Sequence, residues 1–382
     1  MARPYQHRST PRVPAKVDDI QVNFCRNSRC TNFGVPPKLT VKKGRNSQDR
    51  DGYRLVGGRK ITTLKQSMTC LLCNESFTVQ SNRAIVEERD RLLAPFLTVS
   101  TAQCPRAACE SRLLNVVDHP KAYIRFGSTH SGSPRYRCKR CGATFSVPAR
   151  STLRQRLPQK SPLIFSLLIN KSPMRRICEV AGIRPEMLYQ RIDFFHRQCV
   201  KVAQTHERLL LAGKSFDRLH IAVDRQDHTL NWGSHLDRRN VVLRAIASAD
   251  SRSGYVFGVH LNYDPAMDPQ ETELMARERG DFDVGLPFRE FARIWLASQY
   301  HAHPSSEETP SPSKRDVKLP SLGMQVHEEY TQFGHFLYLE RLLRGAKRLQ
   351  FSLDQEPSIR AACLVAFQER AIARTLDAFV GG

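Results

Sequence analysis

The sequence predicts a multidomain chain: two small β-rich metal-binding ribbons, an all-α segment and an α/β domain. Three observations carry this. One cysteine quartet occurs twice in the same design, the excess positive charge lies wholly in the cysteine-bearing half, and the hydrophobic spacing turns from helical to strand-like near residue 216.

The first quartet is Cys25-x4-Cys30 with Cys70-x2-Cys73, and the second is Cys104-x4-Cys109 with Cys138-x2-Cys141. Each closing pair opens the same tail. Cys73-Asn-Glu-Ser-Phe77-Thr78-Val79 matches Cys141-Gly-Ala-Thr-Phe145-Ser146-Val147. Two short-spaced pairs of thiolates are what a tetrahedral structural zinc requires, because each tight turn supplies two ligands. The repeated aromatic and β-branched residues mark a duplicated zinc ribbon, so two structural zinc ions are expected.

At 382 residues the chain is long for one core. Its longest apolar run, Leu163 to Ile169, is far too short to span a bilayer, so no membrane role is expected. The N-terminus is basic without an apolar signal region. With eight of eleven cysteines in metal spacing, a reducing cytoplasm is expected rather than a disulfide framework. Residues 1–215 hold 39 Lys and Arg against 14 Asp and Glu, a net of +25; residues 216–382 hold 20 against 23, a net of −3. This asymmetry points to a nucleic-acid-binding half joined to something else.

Taken in order, residues 1–19 form a basic tail expected to be disordered. Residues 20–95 form ribbon 1, with a Gly/Lys/Arg/Asn-rich insert from Lys42 to Lys60, and a linking helix from Arg83 to Leu93. Residues 100–148 form ribbon 2, and Ser146 to Gln159 form a linker with two prolines. From 160 to 212 the spacing is helical. Ser161-Pro162 predicts an N-cap followed by a proline at the first helical position.

Within 172–192, small Ala181 and Gly182 mark a turn, and Ile177, Ile183, Leu188 and Ile192 fall where a packed helix pair needs apolar contacts. That is a helix-turn-helix pattern. The helix from Pro185 is the expected recognition helix. Arg175, Arg176, Arg184, Tyr189, Gln190 and Arg191 are the candidate DNA-contacting residues. Cys178, Cys199 and Cys363 are expected to be small buried helix residues.

The domain over 216–382 opens with Leu219-His-Ile-Ala-Val-Asp224, a short apolar strand ending in a carboxylate. A hairpin follows over Asn240–Asp250 and Gly254–Leu261. Residues 268–298 are predicted helical, within an insertion covering about 268–325 whose segment His301 to Pro320 is loop-like. A helix spans His327 to Lys347, a second strand ends at Leu353-Asp354, another helix reaches about Arg374, and a last strand begins at Thr375. Strand, hairpin, helix and strand, with an aspartate closing the first and fourth strands, is the order of an RNase H-like nuclease core. In that order the two strands are neighbours, and Asp224 and Asp354 meet at one end of the sheet. Paired carboxylates there bind Mg²⁺ or Mn²⁺. Two such ions, roughly 3.5–4 Å apart, activate the attacking oxygen and stabilise the leaving one.

On the cysteine quartets, the 172–192 motif, Val223-Asp224 and Leu353-Asp354-Gln355, the chain resembles bacterial insertion-sequence transposases. These carry an N-terminal zinc ribbon, a helix-turn-helix and an RNase H-like DDE/DDD domain. The resemblance covers most of residues 20–380. It implies a nucleoid-associated protein that binds double-stranded DNA at element ends and target as a homo-oligomer. It also implies Asp224 and Asp354 as catalytic metal ligands. Two departures stand out. A paired ribbon replaces a single one, and the family's third acid lies on a helix after the fifth strand, where this sequence stops. Glu369 and Asp377 come too early to replace it, so the α/β domain is expected to be incomplete. Two other readings stay open: a non-catalytic DNA-binding protein or inactive transposase remnant, and an RNA-binding ribbon protein.

Overall fold

The structure, a computed structural model, describes residues 11–40, 51–56, 66–97, 102–116, 119–130, 132–147, 155–211, 213–231, 237–302 and 317–381. The start of the basic tail, much of the 42–60 insert, half of the 146–159 linker and most of the Pro/Ser-rich loop lie outside these residues.

Ribbon 1 is an antiparallel sheet of β1 (Tyr53–Val56), β2 (Ser67–Cys70) and β3 (Ser76–Thr78), followed by helix α1 (Asn82–Leu97). Ribbon 2 repeats the sheet with β4 (Tyr123–Ser128), β5 (Pro134–Cys138) and β6 (Thr144–Ser146). Three helices follow: α2 (Ser161–Ile169), α3 (Met174–Ala181) and α4 (Pro185–Leu211). Ile164, Ile177, Ala181 and Leu188 form their buried core, with Ile183 and Ile192 packed against it. Gly182 takes the left-handed conformation that ends α3 (φ +56°). Lys160 donates to the carbonyls of Ala181 (2.6 Å) and Gly182 (3.1 Å), placing a cation on that helix C-terminus. Ser161 does not cap: a 3₁₀ turn at Pro158–Lys160 runs straight into α2, so Ser161 lies inside the helix. Cys199 is exposed on α4 rather than buried, whereas Cys363 is buried as expected.

The remaining elements are β7 (Phe216–Leu230), β8 (Val241–Asp250), β9 (Val256–Leu261), β10 (Tyr263–Asp264), α5 (Pro269–Glu278), α6 (Ala297–Ala302), β11 (Met324–Gln325), α7 (Glu328–Leu342), β12 (Ala346–Leu353), α8 (Pro357–Ala366), α9 (Gln368–Ile372) and β13 (Leu376–Val380). Five of the strands form one sheet in the order β13-β12-β7-β8-β9. Strands β7, β8 and β9 run antiparallel, while β12 is parallel to β7 and β13 to β12. Leu219, Ile221, Val223, Leu349, Phe351 and Leu353 alternate onto one buried face. There Phe351 packs against Phe336 of α7 and Phe367 beyond α8, at 5.9 and 5.1 Å between ring centroids. Ala222, Asp224, Ser352 and Asp354 alternate onto the other face and are exposed.

Two local expectations are corrected. Strand β7 does not end at Asp224 but continues six residues to Leu230, because it pairs with β8 over its whole second half. Residues 268–298 are helical only in α5 and at the start of α6. Between them lie 3₁₀ turns at Asp281–Asp283 and Leu286–Phe288, where Gly280 (φ +67°), Gly285 and Pro287 break the helix.

The chain forms two compact units. One joins Met1–Leu93 to Leu210–Gly382, and the other is Ala94–Leu209. Ribbon 1 and most of α1 therefore belong with the five-stranded sheet, and ribbon 2 with the three helices. In the first unit, Glu88 of α1 is fully buried and bonds Arg91 (2.6 Å), Arg293 (2.9 Å) and Thr331 of α7 (3.1 Å). Arg293 also pairs with Asp264 at 2.6 Å. Gly334 sits where α1 meets α7: a Cβ there would lie 2.9 Å from Cγ of Glu88. Only glycine permits that approach, at a helix-propensity cost of about 1 kcal/mol.

Candidate functional site

Both cysteine quartets close. In ribbon 1 the Sγ atoms of Cys25 and Cys73 lie 3.4 Å apart and those of Cys30 and Cys70 lie 3.8 Å apart. In ribbon 2 the corresponding distances are 3.3 Å for Cys104–Cys141 and 3.9 Å for Cys109–Cys138. Within each quartet all four sulfurs fall within 4.8 Å of one another. A zinc ion with Zn–S bonds of about 2.3 Å sets sulfurs about 3.8 Å apart at the corners of a tetrahedron, so both quartets fit. With four sulfurs filling the coordination sphere, the site has no open position for chemistry.

The turns that aim the sulfurs are duplicated too. The N–H of Asn74 bonds the Cys70 carbonyl and the N–H of Gly142 bonds the Cys138 carbonyl, both at 2.9 Å. Asn74 (φ +60°) and Gly142 (φ +71°) both take the left-handed conformation after the closing cysteine, which asparagine and glycine tolerate best.

A pair of tyrosines, unremarked in the sequence reading, completes the repeat. The Tyr53 hydroxyl accepts from the Cys25 N–H (2.9 Å) and donates to the Val35 carbonyl (2.7 Å). The Tyr123 hydroxyl accepts from the Cys104 N–H (3.1 Å) and donates to the Ser111 carbonyl (2.6 Å). Their rings meet Phe77 and Phe145 edge-on at 6.1 and 5.4 Å.

The electrostatics repeat as well. Burial pushes the first thiol of each quartet up, Cys104 to about 12 and Cys25 in the same direction. Burial also opposes ionisation of the third thiol, but there hydrogen bonds outweigh it. Cys70 is held at about 7 by the Asn32 side chain and the backbone N–H groups of Leu72 and Cys73. Cys138 is held at about 6 by the backbone N–H groups of Cys141 and Arg140 and by Ser111. Donors aimed at sulfur are the outer shell that a metal thiolate needs.

The second candidate site is the aspartate pair. The last registered pairs of β12 with β7 are Ser352–Ala222 and Leu353–Val223, so Asp354 and Asp224 follow side by side on neighbouring parallel strands. Adjacent strands lie about 4.8 Å apart. Each carboxylate accepts from the next residue's N–H: Asp224 from Arg225 (2.8 Å) and Asp354 from Gln355 (2.7 Å). The second oxygen of each remains on the exposed face. Among the described residues, no third Asp, Glu, His or Cys joins them in a cluster. Asp377 pairs with Gln350, four positions short of Asp354 and so about 13 Å along the strand. Glu369 lies on α9.

Behind the pair, on the helix-facing side of β7, lies an ionic network that sequence reasoning missed. Arg225 bonds Glu356 (2.9 Å) and Glu328 (3.2 Å), while Arg244 bonds Glu328 (2.7 Å) and Asp227 (3.5 Å). Burial and the like charge of Glu356 raise the Glu328 carboxyl against the pull of Arg244 and Arg225. Glu356 is two residues past Asp354 and Arg225 is next to Asp224, so this network ties the two aspartate-bearing segments together.

In the helical segment Arg175, Arg176, Arg184, Tyr189 and Gln190 are exposed, and Arg175 and Arg176 both pair with Glu179. Arg191 is corrected: it is only 4% exposed and its guanidinium bonds the Arg156 carbonyl. It falls on the inner stripe with Leu188, Ile192 and Phe195, three and four residues apart, and cannot read DNA from there.

No protein-family model matches the chain, and no curated protein matches it. No helix among the described residues is long and apolar enough to cross a membrane.

Proposed function

We propose that the chain is a DNA transposase. In this reading it binds the terminal inverted repeats of an insertion sequence on double-stranded DNA, and it cuts and joins strands with Mg²⁺ or Mn²⁺ held by Asp224 and Asp354. The observation that carries this is the in-register parallel pairing of β12 with β7, which brings two aspartates 130 residues apart in sequence onto neighbouring strand positions. The strand order β13-β12-β7-β8-β9, antiparallel on one side of β7 and parallel on the other, supports an RNase H-like reading of the domain. The exposed Arg184, Tyr189 and Gln190 at the start of α4 support a recognition helix.

In the chemistry this reading assigns, water and then a freed 3′-hydroxyl attack phosphorus in line. Asp224 and Asp354 would hold the cations, which would supply activation of the attacking oxygen and neutralisation of the leaving one. The protein contributes position and preorganised charge. Asp224→Ala or Asp354→Ala is expected to lower Mg²⁺-dependent strand cleavage of terminal-repeat DNA by roughly 10³-fold or more, with duplex binding retained. Cleavage at the wild-type rate in either variant rejects the assignment.

A second reading is a DNA-binding protein that occupies such ends without cutting. It is favoured by one observation: no third acid clusters with Asp224 and Asp354 among the described residues. Duplex binding by the wild-type chain without Mg²⁺-dependent nicking would select it.

A further inference from the structure

Ribbons 1 and 2 share a scaffold but present different outer faces. With Cys70 and Tyr53 matched to Cys138 and Tyr123, each outward position of one ribbon has a counterpart in the other. In ribbon 1 these positions carry Arg54, Thr69 and Ser76 across the sheet, with Ser67 and Thr78 beside them. Thr69 is buried and bonded to Ser76 at 2.9 Å. This ribbon packs within the sheet-bearing unit, where Arg26 lies over Phe77 and over Phe333 of α7 at 5.4 and 5.6 Å.

In ribbon 2 the same positions carry Ile124, Arg137 and Thr144, with Arg135 and Ser146 beside them. The Arg135 and Arg137 guanidiniums sit 6.0 and 5.9 Å from the ring centre of Phe126, which projects from an irregularity in β4. Phe126 is 48% exposed and Ile124 50%. No acidic side chain pairs with either arginine among the described residues, so both charges are free to meet an anion.

We infer that this outer face of ribbon 2 binds an unpaired stretch of a DNA strand, with phosphates on Arg135 and Arg137 and a base stacked on Phe126. The inference rests on the DNA-binding reading above and divides the labour of the duplicated ribbons. Ribbon 1 is a structural part of its unit, and ribbon 2 touches the nucleic acid. Two arginines alternate on one strand about 7 Å apart, a spacing that follows a backbone rather than a single group. A half-exposed aromatic beside them suits a base, since every base has a π-face and stacking tolerates any sequence. A fully paired duplex offers no such face except at a frayed or opened end.

The test is a fluorescence-anisotropy titration of the zinc-loaded full chain with a single-stranded oligonucleotide and with its duplex. Phe126→Ala is expected to weaken single-strand binding about 5- to 100-fold and duplex binding less than about twofold. Arg135→Ala with Arg137→Ala is expected to flatten the slope of log K against log salt on the single strand by about 1.4. Arg54→Ala with Val56→Ala, which alters the ribbon 1 counterparts of Ile124 and Phe126, is expected to alter neither. A zinc content of two per chain in every variant confirms that the ribbons are folded. Wild-type duplex binding with no response to Phe126→Ala overturns this inference and leaves the proposed function standing. So does a loss caused by the arginines alone and equal on both substrates, which would mark a backbone contact only. Failure of the wild-type chain to bind either DNA overturns both.

Discussion

Cys138→Ser is expected to leave one zinc per chain and to unfold ribbon 2. Its core is small: among the six buried residues of that cluster, three are the ligands Cys104, Cys109 and Cys138. With so little apolar area to bury, the metal supplies the folding energy, on the order of 10 kcal/mol in sites of this kind. The substitution also removes the thiol that Cys141, Arg140 and Ser111 hold at about 6, leaving those donors without their acceptor. Zinc analysis should fall from two ions to one, and amide protection over 102–147 should vanish while the sheet-bearing unit keeps its own. Protection that survives at one zinc per chain would show that the ribbon folds without its metal.

Glu88→Ala carries the second-largest expected effect, about 3–5 kcal/mol off the sheet-bearing unit. The side chain is fully buried between Arg91, Arg293 and Thr331. Removing it leaves Arg293, itself nearly buried, with Asp264 as its short-range partner and opens a gap beneath α1. Urea midpoints at pH 7 measure the loss. The pH dependence has a definite sign. Burial alone would raise the Glu88 carboxyl, but the two arginines outweigh it and hold it below its ordinary 4.5. The carboxylate's contribution is therefore complete above about pH 4.5 and is lost as acid carries the folded group through its lower titration. The variant should show a smaller drop across that acid range than the wild type. An unchanged midpoint would mean that α1 is not held by this cluster.

What the sequence made legible is local or short-period. The cysteine pairs, the shared Phe77 and Phe145 tails, the β8–β9 hairpin and the apolar contacts joining α3 to α4 all lie within a few residues of their partners. The tyrosines escaped notice because Tyr53 stands 17 residues before Cys70 and Tyr123 stands 15 before Cys138, so an ungapped comparison does not align them. Glu88 lies in the run Glu87-Glu88-Arg89-Asp90-Arg91, which has the look of a solvated helix face. Its burial depends on Arg293, some 200 residues away, and on the bare backbone of Gly334. The polar second half of β7, Arg225 to Thr229, lacks a strand's apolar alternation. Pairing with β8 and the Arg225 and Arg244 ion pairs hold it extended instead. Arg191 was legible in principle, since its spacing from Leu188 and Phe195 puts it on the apolar stripe. Its charge suggested the opposite side.

Division of the duplicated ribbons between two compact units also narrows what the cysteine quartets mean. Both fit zinc, but among the described residues only ribbon 2 presents an unpaired basic and aromatic face. In the proposed transposase the chemistry belongs to the other half, at a pair of exposed carboxylates whose strands are tied by Arg225, Glu328 and Glu356.

The most direct test of that claim is Mn²⁺ binding followed by electron paramagnetic resonance on the zinc-loaded chain. The account predicts bound Mn²⁺ that is displaced by Mg²⁺ and lost in both Asp224→Asn and Asp354→Asn, with zinc unchanged at two per chain. Mn²⁺ bound as tightly in both variants as in the wild type would contradict it.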